Sequence, residues 1–466
     1  MEAIDQILSD IKNFVWAPPL LCLLIGTGVY LSFLLKGMQI RYLGYALKQA
    51  FSSQKNASEG DISQFQALMT SLAGAIGTGT IVGVATAITV GGLGSMFWMW
   101  VMAFLGMAIK YAESVLAVKF RVMDARGEMM GGPMQYIEYG LGWRWLAILF
   151  AIFGAVAAIG TGNLVQVNAI AEAIDNVFVA DPWITGVVIA MLLGVIIIGG
   201  VKSIGNVSSV LVPVMATFYM GAGLIIIGMH IDKVPAAFLK ILTSAFEGQA
   251  ATGGFLGATV MMAIQMGVSR SVFSNEAGLG ISSIAAAAAK TDCPGRQAMI
   301  TMTGALMSTV IVCSVTGLVL AVTDVLGQTT ASGKPLTGAS MAIQAFNSTL
   351  FGGDYIVSIG LILFAFTTVV AWAYYGEKCF EYLFGVKSVI IYRVLFTLIV
   401  IPGAALKMEV VWYLADIMNG LMVIPNLIAV IALSGVIVSE TNSFLLIIKK
   451  EKADLRALKE NIANDI

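Results

Sequence analysis

From residue 16 to residue 438 the chain is a succession of apolar runs, most of them long enough to cross a lipid bilayer as helix. A crossing takes about 17–25 residues at the helical rise. Hydrocarbon offers the main chain no hydrogen-bonding partner, so runs of this kind fold as helices. The alternative, a closed barrel, needs short alternating segments that this sequence lacks. Composition agrees, with 58% hydrophobic and 11% charged residues, against about 25% charged in a soluble domain. The chain therefore reads as an all-α, polytopic membrane protein whose main partner is the lipid bilayer. Nothing in it suggests a nucleic-acid partner or an obligate protein partner.

Eleven spans are expected, at roughly 16–36, 64–90, 95–120, 145–174, 183–200, 205–229, 252–288, 297–323, 353–383, 388–406 and 410–438. The basic residues test that count. Lys36, Arg41, Lys48, Lys55, Lys119, Arg121, Arg126, Arg144, Lys202, Arg270, Lys290, Arg296, Lys378, Lys387, Arg393 and Lys449 fall towards one side with others of the tail, whereas Lys12, Lys233, Lys240, Lys334 and Lys407 fall on the other. The richer side faces the cytoplasm by the positive-inside rule. That puts the amino terminus outside and the carboxyl terminus inside, as an odd number of spans requires. Met1–Phe14 is acidic, unlike a cleavable signal, and sets Ile4, Ile7, Leu8, Ile11 and Phe14 on one helical face, as a surface-lying helix would. The tail beyond Val438 reads as a solvated or surface helix. The four cysteines, Cys22, Cys293, Cys313 and Cys379, form no disulfide framework.

Eleven is one plus two fives. With the first span as an addition, spans two to six and seven to eleven enter from opposite sides, which is the arithmetic of an inverted repeat. The expected division is residues 1–63 (surface helix, extra span and linker), 64–230 (first repeat), 231–251 (external linker), 252–438 (second repeat) and 439–466 (cytoplasmic tail). The first helix of each repeat should then be interrupted. Gly74-Ala75-Ile76-Gly77-Thr78-Gly79-Thr80 supplies three glycines near the middle of the second span. Glycine weakens a helix and lets other groups approach the backbone, although close helix packing through small residues uses the same composition. Gln265-Met266-Gly267-Val268-Ser269-Arg270 is the matching interruption expected in the seventh span. Paired interruptions point to a transporter site at mid-membrane.

Two further blocks carry a resemblance. Gly91-Gly92-Leu93-Gly94-Ser95-Met96-Phe97-Trp98-Met99-Trp100-Val101 and Phe273-Ser274-Asn275-Glu276-Ala277-Gly278-Leu279-Gly280 are similar to signature stretches of the alanine/glycine:cation symporter family, within the amino acid–polyamine–cation superfamily. The likeness spans most of the chain. It implies the leucine-transporter architecture, five plus five inverted helices with one extra amino-terminal helix. It also implies a sodium-coupled carrier of small neutral amino acids.

A zwitterionic amino acid needs both charges compensated in a dry site. Phe65–Trp100 holds no ionisable residue, so the carboxylate must meet backbone N–H groups, a hydroxyl or a cation. The half-helix starting near Thr78 offers free N–H groups and the positive end of its dipole. Gly77, Thr78 and Gly79 are the expected contacts, and the resemblance matches Gly77-x-Gly79 to the family's glycine pair. The ammonium end wants carbonyls freed at the breaks, those of Ala75, Met266 and Gly267, or amide oxygens. Asn163, Gln166 and Asn168 supply amides in the fourth span, and Gln265 one at the second break. They cannot all line one small site, and some serve neighbouring helices instead. Met262, Met266, Phe273 and Trp372 supply bulk that would exclude larger side chains, or they are ordinary packing.

Sodium prefers a cage of oxygens. Thr367-Thr368 offers two adjacent hydroxyls, which by resemblance match those of the family's shared sodium site, with carbonyls at the positions of Ala73, Ile76 and Phe364. A threonine hydroxyl also commonly bonds the carbonyl one turn back. Thr80 stands where relatives carry an asparagine, which leaves a second sodium site open. Lys110, Glu113, Arg270 and Glu276 are ionisable residues within spans, and either an ion-paired inner gate or structural pairing accounts for them. His230, the single histidine, lies near a span's end and is poorly placed for a proton relay, so sodium is favoured over protons. The expected function is sodium-coupled import of alanine or glycine by alternating access. A proton-coupled symporter and an ion channel are the alternatives. An enzyme would need a nucleophile with its base or a set of metal ligands, and neither pattern is present.

Overall fold

Proline, glycine and a few polar caps punctuate the apolar runs and set where each helix begins and ends. The computed structural model describes residues 2–52, 59–247, 259–329, 333, 335–406 and 408–464. Its main helices are α1 (Glu2–Val15), α2 (Pro18–Leu34), α3 (Gln64–Ala75), α4 (Gly79–Gly91), α5 (Gly94–Lys119), α6 (Arg144–Asp175), α7 (Pro182–Ile198), α8 (Gly200–Met229), α9 (Val234–Glu247), α10 (Val260–Asn275), α11 (Ser283–Ala287), α12 (Pro294–Val322), α13 (Gly338–Asn347), α14 (Gly353–Phe384), α15 (Val386–Gly403), α16 (Met408–Ala432) and α17 (Ser434–Asn464). Prolines open α2, α7 and α12, where their missing N–H costs nothing. Ser63 and Gln66 form a reciprocal capping box at the start of α3. Gly385, with φ +79°, ends α14.

Among the described residues, eight helical stretches are long and apolar enough to cross a membrane, or nine with the bent pair α3–α4 taken as one. Two expected spans fall short of that measure. Span 183–200 is α7, which is apolar but 17 residues long. Span 252–288 is the pair α10–α11, in which neither helix reaches membrane length, and residues 252–258 lie outside the described part. The expected amino-terminal surface helix is α1, which packs on α16 and runs on into α2. The tail is helical as expected but not wholly solvated. In α17, Phe444 and Ile448 are buried, Glu440 pairs with Lys119 at 2.6 Å and Glu451 with Arg296 at 2.5 Å.

The first interruption stands where the glycines place it. α3 stops at Ala75, Ile76 leaves helical geometry (φ −88°, ψ 76°), and α4 resumes at an angle of 52°. The second does not fall at Gln265–Ser269. α10 runs unbroken through those residues, and the chain departs from helix only at Glu276 (φ +59°), Gly278 (φ +90°) and Gly280 (φ +73°) before α11 begins. Packing explains the difference. A Cβ on Gly267 would lie 2.5 Å from the Trp98 side chain, so that glycine lets α5 approach. Met266 keeps its carbonyl inside the helix, where it also accepts from the Ser269 hydroxyl at 3.3 Å.

The far ends of the two broken pairs are joined. Asp61 and Ile62 donate main-chain N–H groups to Ala288 O (2.8 and 3.2 Å), and Lys290 N–H donates to Ile62 O at 2.8 Å. Arg121 donates to Ala287 O, Ala289 O and Glu59 O at 2.8–3.0 Å. Beside this clamp a small hairpin, β1 (Val122–Met123) with β2 (Met129–Met130), carries Asp124 and Glu128 to the ammonium of Lys378. Partial burial opposes ionisation of Asp124. The N–H groups of Glu128 and Arg126 and the charge of Lys378 outweigh it and hold that carboxyl down at about 2.

Candidate functional site

At the first interruption the backbone borders a small enclosed cavity of about 10 Å³, roughly the room one water needs. Its walls come from five parts of the fold. The break supplies Gly74, Ala75, Gly77 and Gly79, and α6 supplies Thr161 and Gln166. The second broken pair supplies Phe273 and Leu279, α14 supplies Thr368 and Trp372, and α16 supplies Asn419. Glycine is needed at two of these positions for space. A Cβ at 77 would sit 2.4 Å from the Thr368 hydroxyl, and one at 79 would sit 2.6 Å from the Phe273 ring.

A helix start leaves N–H donors over, and α4 begins at the break. Thr80 N–H bonds Gly77 O at 3.1 Å, and just before the helix Gln166 Oε1 accepts from Thr78 N–H at 3.2 Å while its Nε2 donates to Thr161 O at 3.1 Å. That carbonyl is accessible because α6 widens to a π-turn over Ala158–Leu164. The Thr161 hydroxyl in turn bonds Asn419 Oδ1 at 3.0 Å. The site thus pairs a donor-rich helix start with amide and hydroxyl oxygens, the complement of a zwitterion.

Next to it lies a cluster of neutral oxygens. Thr368 Oγ1 is 2.9 Å from both Ala73 O and Phe364 O. Thr367 Oγ1 is 3.0 Å from Phe364 O and 3.4 Å from Met215 Sδ. Ile76 sits at the break itself. Thr368 spans the gap between α14 and the end of α3, where the negative end of the helix dipole also favours a cation. Thr367 turns towards α8 and bonds one turn back.

Seven expected substrate contacts are gathered at the cavity: Ala75, Gly77, Gly79, Gln166, Phe273 and Trp372 line it, and Thr78 reaches it through its amide. The others lie elsewhere. Asn163 donates to Phe396 O (2.7 Å) and Asn168 to Leu406 O (2.6 Å), each tying α6 to chain outside the site. Gln265 donates to Trp16 O at 3.3 Å. Met262, Met266 and Gly267 pack beside Gly91, Trp98 and Ser95. Gly74, Thr161, Leu279 and Asn419 were not foreseen. Leu279 follows from the true position of the second break, and Thr161 lies one turn before Gln166 on the same helix.

Above Phe273 the cavity is roofed. The Phe273 and Trp412 rings lie 5.1 Å apart, and the Arg270 guanidinium stands over both at 5.8 and 5.3 Å. Arg270 makes a buried two-pronged ion pair with Asp416, at 2.6 and 3.2 Å. Arg270 is therefore no partner of Lys110, Glu113 and Glu276 in an inner gate. It lies before Phe273 in α10, on the far side from Lys290. Below the cavity the second break is filled by its neighbours. Lys110 donates to Asn275 O at 2.7 Å. Glu113 accepts from the N–H groups of Gly278 (3.0 Å) and Gly280 (3.2 Å) and from Asn426 Nδ2 at 2.7 Å.

Two broken helices crossing at a closed central cavity define a secondary transporter of the inverted-repeat type. In architecture the chain is similar to MhsT, solved in complex with L-phenylalanine, with a TM-score of 0.57 over 79% of this chain and 89% of that one at 12% identity. Residues 1–457 match the profile of the sodium:alanine symporter family. The sodium/alanine symporter AgcS of Methanococcus maripaludis is 51% identical over 452 residues, covering 96% of this chain and 98% of AgcS. The probable sodium/glutamine symporter GlnT of Bacillus subtilis is 36% identical over 437 residues, 94% of this chain and 90% of GlnT. The chain belongs to the sodium:alanine symporter family.

Proposed function

We propose that the protein imports a small neutral amino acid, alanine or glycine, together with sodium across the cell membrane by alternating access. The observation that carries this is the break at Gly77–Gly79. Its amides and Gln166 face a cavity that shares Thr368 with the oxygen cluster of Ala73 and Phe364. Gly77, Thr78 and Gly79 meet the carboxylate, and Ala75 O with the Gln166 and Thr161 oxygens meets the ammonium. Thr368, Ala73 and Phe364, with Ile76 O and Thr367, hold the sodium. Alanine or glycine is favoured over glutamine because Phe273 and Trp372 fill the space a longer side chain would need. Residues 64–230 and 252–438 form the two repeats, with the amino terminus outside and the carboxyl terminus in the cytoplasm. The Phe273–Trp412 roof and the Arg270–Asp416 pair then form the outer closure, and the Arg121 clamp lies on the inner side.

Uptake of labelled alanine into proteoliposomes, with and without an inward sodium gradient, tests this. Accumulation that needs the gradient is the expected result. Accumulation driven equally well without sodium would remove the assigned coupling ion. Alanine flux that never exceeds passive equilibrium would favour a channel.

A further inference from the structure

A groove of about 260 Å³ opens between α7 and α15 at the surface of the fold. Gly194, Ile197 and Ile198 line it from α7, and Ile390, Val394 and Leu398 from α15. Thr397 turns its hydroxyl back to Arg393 O at 2.8 Å and leaves its methyl group to the groove. Ile198, Ile390, Val394 and Leu398 stay exposed. Gly194 keeps the groove open: a Cβ there would lie 3.7 Å from the Thr397 methyl, an ordinary contact. Lys387, Ile390, Val394 and Leu398 follow at intervals of three, four and four residues, which sets them on one stripe of the helix. From residue 387 to residue 398 the helix rises about 16 Å, close to half of the ~30 Å hydrocarbon core. The groove therefore has the depth of one leaflet.

Charge gathers at one end of this slot. Arg393, on its flank, is already spent: it donates to both Glu377 oxygens (2.7 and 2.9 Å) and to Ile198 O at 3.1 Å, tying α15 to the end of α7. The neighbouring carboxylates are spent as well. Glu377 holds Arg393, and Glu128 lies 3.1 Å from both Lys378 and Arg126. Lys387, one turn before Ile390, is exposed, and so is Lys202, four residues beyond Ile198. The charge of Lys202 also reaches Asp61. Two ammonium groups thus stand where the apolar slot meets water, beside acids that are already bound.

We propose that the groove binds an acidic phospholipid of the cytoplasmic leaflet, with one acyl chain between α7 and α15 and the headgroup phosphate against Lys387 and Lys202. A lipid tail gains no hydrophobic energy by leaving other tails for an apolar wall, so the groove fixes the place and charge fixes the preference. Each lysine near an anionic headgroup is worth about fivefold in binding. A seated chain completes the packing of α7 on α15, and by linkage it stabilises the folded protein. A second copy of the chain suits this face less well, because a two-fold contact would bring its lysines against the same pair. The inference takes from the transport reading only which side is cytoplasmic.

The test uses the full chain, delipidated in uncharged detergent, with lipid binding read by native mass spectrometry and the melting temperature read alongside. Phosphatidylglycerol should bind and raise the melting temperature. Phosphatidylcholine with the same chains should bind about 25-fold more weakly, two lysines at about fivefold each. Glycerol 1-phosphate, a headgroup without a tail, should neither bind nor stabilise. Gly194→Leu fills the groove from its α7 wall and should weaken phosphatidylglycerol binding by about tenfold or more. Lys387→Ala together with Lys202→Ala should bring phosphatidylglycerol down to the phosphatidylcholine level. Equal binding of the two lipids by the wild type, or wild-type affinity in G194L, would overturn the proposal, as would a dimer that G194L dissociates with no change in bound lipid. Should G194L not fold, the lysine pair decides: an undiminished preference for phosphatidylglycerol without the two lysines refutes the site. None of these readings needs transport, so a failure of alanine uptake would strike the transport reading alone.

Discussion

The two helix breaks, at Ile76–Thr78 and at Glu276–Gly280, are built in opposite ways. At Ile76–Thr78 the chain parts among glycines with no charged residue of its own; neutral groups meet its main chain, Gln166 at Thr78 N–H, Thr368 at Ala73 O, Trp372 at Gly74 O and Thr80 at Gly77 O, and the rest borders the cavity. At Glu276–Gly280 the freed amides are taken by Glu113, the Asn275 carbonyl by Lys110, and the Gly278 carbonyl by Asn426. The first break leaves main chain bordering a cavity, and the second is filled from within. The same local device therefore yields a binding surface or a scaffold, depending on whether side chains reach it first.

Five substitutions would break or sharpen that contrast. Gly79→Leu should reduce sodium-dependent alanine binding by about 100-fold or more, since even a Cβ there meets the Phe273 ring at 2.6 Å and overpacking adds to the lost approach. Unchanged affinity would move the guest away from the first break. Thr368→Ala should raise the sodium concentration for half-maximal uptake by roughly tenfold, about the worth of one charge-assisted contact. Thr367→Ala, whose hydroxyl turns to Met215, should raise it less, and the double variant should abolish sodium dependence. Equal single effects would show that both hydroxyls face the ion. Gln166→Ala should weaken alanine binding about tenfold, as loss of a hydrogen bond to a charged ammonium does, and equilibrium binding reads this directly. Gln265→Ala should change alanine affinity by no more than about twofold, because its amide serves Trp16 and not the cavity. A larger loss would restore it to the site.

The first break was legible because glycines spaced at 74, 77 and 79 have few other uses in the middle of a polar-poor helix. The second was misplaced because Gln265, Gly267 and Arg270 look like a disruption when only the local string is read. In the fold each has a partner on another element: Trp16, Trp98 and Asp416. The better signal was Gly278-x-Gly280, the same spacing as Gly77-x-Gly79, and both glycines adopt positive φ. The amides of α6 were recognisable as buried polar groups, but periodicity could not choose among them. The π-turn that frees the Thr161 carbonyl for Gln166 shifts the face that meets the cavity, so only one of the three reaches it. Arg270 was grouped with Lys110, Glu113 and Glu276 by its place in the string, which says nothing of pairing. Asp416, distant in sequence, neutralises it.

The clamp of Arg121 and the main-chain bonds between residues 61–62 and 288–290 bear on how the molecule can work. Three main-chain hydrogen bonds join the start of α3 directly to the chain after α11, and Arg121 ties both sides through three more, so on the transport reading these two half-helices are coupled as a single lever. The passage on that side cannot be unlatched by one of them bending alone. Either the whole arm pivots with its fulcrum at the glycines, or all six bonds must be surrendered at once, which makes the motion all-or-none.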